Sequence, residues 1–179
     1  MSEIVATTEP TPTTDASNII VNIIEETFID LVKKSLENED IKNKISIKLT
    51  SEITSIINNI ISITPNTLTD IEKAVVEIIK DGKIDSKDIP NIIVVIQRIY
   101  QFIYSLKSIK LDAKKRADIT GELMKYLIHI LVLERKIKIE QDKQSEFLTQ
   151  TNILIDSCVD LLSYSKSLKT KGCLKKILG

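Results

Sequence analysis

Residues 44–63 read "KISIKLTSEITSIINNIISI", and the period assigned to them decides the fold. The first six residues alternate apolar and polar, and Ile favours strands. Over the longer window, Ile45, Leu49, Ile53, Ile56, Ile60 and Ile63 recur every three or four positions. Lys44, Lys48, Glu52, Ser55, Asn59 and Ser62 form the complementary polar stripe. A long stretch with no turn signal favours one helix over two strands, so the pattern predicts a helix over 41–63 that Asp40 caps and Pro65 stops.

The same period runs outward in both directions. Ile20, Ile24, Phe28 and Leu31 predict a helix over 18–37, with Ser17 as its N-cap. Thr67 and Asp70 have capping-box spacing and open a helix over 67–80 that turns Leu68, Ile71, Val75 and Ile78 inward. Ile92, Ile93, Ile96, Ile99 and Ile103 mark a helix over 88–107. "LMKYLIHILVL" (123–133) is greasy nearly all round, which makes 112–139 the expected central helix. Phe147, Thr151, Leu154, Cys158, Leu161, Ser165 and Leu168 step by four and three, a heptad-like seam on a helix over 145–168.

The chain of 179 residues has four glycines and four prolines, so the connections are short. The expected fold is all-α: a single bundle of about six mostly antiparallel helices over 17–168. Residues 1–16, rich in Thr, Pro and Glu, are expected to be a disordered arm. Residues 169–179 are expected to be a basic amphipathic tail.

Ile (34), Lys (22) and Asn (9) together supply 65 residues of a chain without Trp, a bias toward the amino acids of A/T-rich codons. Three Phe and four Tyr offer little for stacking single-stranded bases. The net charge is zero but polarised: residues 1–40 carry −7 and residues 160–179 carry +4. Such polarity suits head-to-tail association. Two cysteines, Cys158 and Cys173, make no disulfide framework. There is no basic, apolar leader at the start, and no apolar run of the ~18–20 residues that span a bilayer. The sequence reads as soluble and intracellular, cytoplasmic or within a virus particle.

Three stretches invite a functional reading. In "EIIKDGKIDSKDIPNII" (77–93), placing Gly82 at the sixth position of a calcium loop puts Glu77, Ile79, Asp81, Asp85 and Asp88 at positions one, three, five, nine and twelve. An Ile at the third position cannot ligate a hard cation. Asp81, Asp85 and Asp88 are therefore weak metal candidates, and the expectation is a helix connector: a left-handed Gly82, Ile84 returning to the core, Asp88 capping the next helix. This phrase resembles a helix-loop-helix pattern in small Ile/Lys-rich, all-helical virion-associated proteins of large DNA viruses and some phages, over about residues 70–106. The resemblance implies an assembly protein and supplies no functional residue to transfer.

His129, the single histidine, sits inside the greasiest run and is expected to be a hydrogen-bonded core residue. No HExxH, CxxC, GxSxG or phosphate-binding Gly loop is present. The tail "SKSLKTKGCLKKILG" sets Lys166, Lys169, Lys171, Lys175 and Lys176 among Leu174, Ile177 and other apolar residues. It would suit a protein partner or an anionic membrane surface, while the scarcity of Arg weighs against nucleic acid. Cys173 lies outside any terminal prenylation box. The expected function is a non-enzymatic structural or scaffolding protein, without cofactor or small-molecule substrate. A peripheral membrane module and a degenerate EF-hand-like calcium responder are the alternatives.

Overall fold

In a computed structural model, the described residues are 26–81, 83–106 and 109–170, excepting the side chains at 162 and 164–170. They form seven α-helices and no strand: α1 (Phe28–Glu37), α2 (Glu39–Lys44), α3 (Ser51–Ile63), α4 (Pro65–Ile78), α5 (Ile89–Ser105), α6 (Ala113–Leu133) and α7 (Gln144–Thr170). A 3-10 turn, Gln141–Lys143, leads into α7. The expected arm over 1–16 and the Ser17 cap lie outside the described residues.

Local side-chain bonds explain where the helices start. Residues 18–25 of the helix expected over 18–37 lie outside the described residues; its described part, α1, starts at Phe28, where Thr27 is extended and its hydroxyl accepts the Asp30 N–H (3.2 Å) while donating to the Asp30 carboxylate (2.6 Å). That reciprocal pair fixes the helix entry.

The single helix expected over 41–63 is two. Asn38, not Asp40, caps α2, accepting from the N–H groups of Asp40 (2.9 Å) and Ile41 (3.2 Å). The chain leaves the helix at Ile45 and re-enters at Thr50, whose hydroxyl accepts from the Ile53 N–H at 3.3 Å. Across 45–50 the alternation in "ISIKLT" is real: Ile45 is buried, Ile47 and Leu49 are half-buried, and the residues between them are exposed. It belongs to a non-helical connection with a bend at Ile47, extended at Ile45 and Thr50, and not to a strand. The β-branched alternation and the Thr50 cap outweigh the longer helical period there. Ile63, expected inside, is exposed.

Pro65 ends α3 and also opens α4, with Thr64 as the shared boundary residue. Thr67 and Asp70 therefore lie within α4 and are not its cap. Pro tolerates the first helical turn because its missing N–H has no helical acceptor there. α6 ends at Leu133, short of the expected 139. Arg135 adopts a left-handed conformation (φ 55°), and Ile137 turns back into the core with its N–H on the Leu131 carbonyl at 3.1 Å.

α6 is the central element. It packs against α1, α3, α5 and α7, and every residue from Leu123 to Val132 is buried. Ile53, Ile56, Ile57 and Ile60 from α3, and Ile92, Ile96, Ile99 and Ile103 from α5, complete one continuous apolar core. Each fully buried side chain of this size contributes about 1.5–3 kcal/mol. Buried Tyr126 ties α6 to α1 through its hydroxyl, 2.7 Å from that of Ser35. At Gly121 an added Cβ would lie 3.0 Å from Cγ2 of Val159, so the glycine sets how closely α7 can approach α6.

Candidate functional site

The loop between α4 and α5 uses its three candidate carboxylates on its own backbone. Asp81 accepts the Lys83 N–H (3.1 Å), Asp85 accepts that of Lys87 (2.7 Å), and Asp88 accepts that of Asp85 (2.9 Å). These are turn-forming bonds of Asp side chains. Asp88 opens α5 without a side-chain bond into it, contrary to the cap expected from sequence. Ile84 is buried as the connector reading required. Gly82 lies outside the described residues. Among the described residues, no three His, Cys, Asp or Glu side chains are placed to hold a metal ion.

The polar seam between α6 and α7 was not legible as a site. Glu122, Lys125 and His129 follow one another along α6, and Asn152 and Asp156 lie one turn apart on α7. Lys125 Nζ donates to Asp156 Oδ1 at 2.6 Å and to Glu122 Oε1 at 2.9 Å, with only 8 % of its side chain exposed. Burial pushes the ammonium pKa down, but the two carboxylates outweigh it and the net shift is upward. Lys125 is thus held charged at neutral pH, where it can serve neither as a base nor as a nucleophile. His129 is 4 % exposed, and its Nε2 lies 3.4 Å from Asn152 Oδ1. Burial pushes its pKa below the ordinary 6.5, opposed by the Asn152 bond and assisted by Lys125. The hydrogen-bonded core histidine expected from sequence is what the packing provides, and the arrangement clamps two helices together. The signal that could have found it is a lone Lys four residues before a lone His inside an apolar run.

A second cation fixes the corner between α5 and α6. The Arg116 guanidinium lies 5.4 Å from the centre of the Tyr100 ring and 4.8 Å from that of Tyr104. It donates to the Leu111 carbonyl at 2.7 Å. At the same end of α6, Lys115 bonds Glu52 of α3 at 2.8 Å and holds that carboxyl down to about 2.

The heptad-like seam of α7 divides. Phe147, Thr151 and Cys158 are buried as expected, but Ile155 and Val159 complete the buried stripe. Leu154 is half-buried and Leu161 is 59 % exposed. A straight helix of 3.6 residues per turn rotates a strict seven-residue repeat off its contact line. Burial pushes the Cys158 thiol pKa up, consistent with the inert buried cysteine expected from its spacing. Lys166 and Lys169 belong to α7. Lys171, Cys173, Leu174, Lys175, Lys176 and Ile177 lie outside the described residues. No described helix is long and apolar enough to cross a membrane.

Compared with protein-family models, with curated proteins and with solved structures, the chain matches none.

Proposed function

We propose that this chain is a non-enzymatic structural or scaffolding protein that works through protein–protein contacts. The observation that carries the reading is a division of labour in α7. One side is committed to the core, while Ile153 (62 % exposed) and Leu161 are left outside on a helix otherwise lined there by polar residues. Large apolar side chains on a rigid helix serve recognition more readily than chemistry. The buried Lys125 and His129 are engaged in holding helices together. The virion-associated role implied by the "DGKIDSKDIP" resemblance is the setting in which such a part would act.

Size fractionation of the native source tests this, with the chain followed by antibody. The expected result is elution with a complex well above the 20.2 kDa of one chain. Elution of all the protein at the monomer position overturns the proposal.

A second reading rests on the sequence after Asp160, whose only charged residues are five lysines: a peripheral membrane module. It expects the full chain to sediment with anionic vesicles and a chain ending at 165 not to. Equal sedimentation of the two removes it.

A further inference from the structure

We infer that the groove between α4 and α5 binds a small zwitterion, a free amino acid with an apolar side chain, whose carboxylate meets Arg98 and whose ammonium meets Asp70. Neither α7 nor the sequence beyond it takes part, so the site stands apart from the assembly reading above.

Three features of the groove select that chemistry. The first is how its walls are built. Its volume is about 560 Å³, within the range of about 300–1,000 Å³ that small-ligand sites occupy. Asp70 and Ala74 lie four residues apart on α4, and Arg98 and Phe102 four apart on α5. Residues at that spacing share a helix face, so each helix presents one charge and one apolar side chain to the groove. Ala74 and Phe102 are half-buried and form an apolar floor for a ligand side chain.

The second is that the polar groups there are uncommitted. Among the described residues, Asp70 and Arg98 bond neither each other nor any other group, and the Thr67 hydroxyl and Gln101 amide that line the same groove have no protein partner. Two other cations that sit against apolar packing are taken: Lys125 by Glu122 and Asp156, and Arg116 by the Leu111 carbonyl and two Tyr rings. Opposite charges that line one groove without closing on each other leave a place for a ligand that carries both charges. Thr67 and Gln101 can take the hydrogen bonds its two polar ends have left over.

The third is the pair of charges itself. The chain has 22 Lys and 3 Arg, and one of the three Arg lines this groove. A guanidinium offers two parallel N–H donors that match a carboxylate. Asp70 beside it discriminates. A phosphate or a dicarboxylate would meet Asp70 as a like charge, and a plain amine would meet Arg98 in the same way. A zwitterion avoids both conflicts.

Amide NMR of the full chain, titrated with L-leucine from about 0.05 to 20 mM, brackets the dissociation constant of roughly 1 mM expected for a site open to solvent on one side. The expected result is saturable shifts concentrated in residues 67–74 and 95–102. Arg98→Gln and Asp70→Asn should each raise the dissociation constant at least tenfold. Leucinamide, which lacks the carboxylate, and 4-methylpentanoate, which lacks the ammonium, should bind the unaltered chain at least tenfold more weakly than leucine. Asp70 and Arg98 are exposed, so unchanged circular dichroism and melting temperature separate lost binding from lost folding, and the two analogues make the same comparison with no substitution at all. Shifts that are absent throughout the range, that spread over the molecule without saturating, that survive both substitutions, or that either analogue reproduces at equal concentration overturn the inference.

Discussion

At the scale of single residues, the two informative positions hold side chains where the surroundings oppose them. Arg135 is a non-glycine residue at φ 55°, a region that costs an L side chain roughly 1–2 kcal/mol. Its side chain is exposed. Arg135→Gly should therefore raise stability by about 1 kcal/mol, allowing for glycine's greater freedom in the unfolded chain. A lower urea midpoint for the variant would show that the guanidinium does more than extend into solvent. His129 is a base buried beside an ammonium, and its pKa lies below 6.5 when folded. The unfolded chain therefore binds its proton more readily. The stability that His129 contributes is complete above pH 6.5 and is lost as pH falls toward its folded value. Urea titrations at pH 7.5 and 5.5 should show that loss in the wild type and not in His129→Gln. Glu52, held at about 2 by Lys115, titrates below that window and does not confuse it. An identical pH slope in both proteins would rule out the assignment.

At the scale of elements, α6 and α7 meet through two different devices. One is charge. Removing both carboxylates strands a buried ammonium, whereas removing the ammonium leaves two carboxylates that are substantially exposed, at 41 % and 59 %. The Glu122→Gln, Asp156→Asn double variant should thus lose about 2–3 kcal/mol, and Lys125→Met no more than about 1 kcal/mol. Chemical denaturation of the two side by side is the measurement, and the reverse order would mean that the clamp is held by its surface halves. The other device is space. Gly121→Leu should cost about 3 kcal/mol by forcing Val159 away. Gly121→Ala needs only a few tenths of an ångström, so Val159→Ala should be less costly in its presence than alone. Strict additivity in that double-mutant cycle would show that the two residues do not meet.

At the scale of the whole molecule, the α7 face with Ile153 and Leu161 is where assembly is expected, and the size at which the chain elutes from its native source is its test. The helices that were readable beforehand are those whose apolar stripes are long. Leu68, Ile71, Val75 and Ile78 in α4, and Ile92, Ile96, Ile99 and Ile103 in α5, are buried as their spacing required. The Leu123–Val132 run is the buried centre because a helix apolar on every side has no other place to go. What misled was a contest between two periods in one stretch. Over 45–50 a two-residue alternation and a helical stripe share Ile45 and Leu49, and the cap at Thr50 decided for the shorter pattern.

The sequence by itself determined the all-helical class and most of the inward-facing residues, because burial of apolar stripes is a local, periodic property that composition cannot hide. It also determined that Ile79 stands where a calcium loop around Asp81, Asp85 and Asp88 needs its third-position ligand. Only the tertiary structure decided that Lys125 finds Asp156, that Ser35 finds Tyr126, and that Leu161 stays outside while Ile155 and Val159 go in. Those outcomes depend on how two helices are rotated and spaced against each other. Gly121 sets the approach of α7 to α6, and Ser35 and Tyr126 meet across 91 positions of chain, both beyond the reach of any pattern repeated every three or four positions.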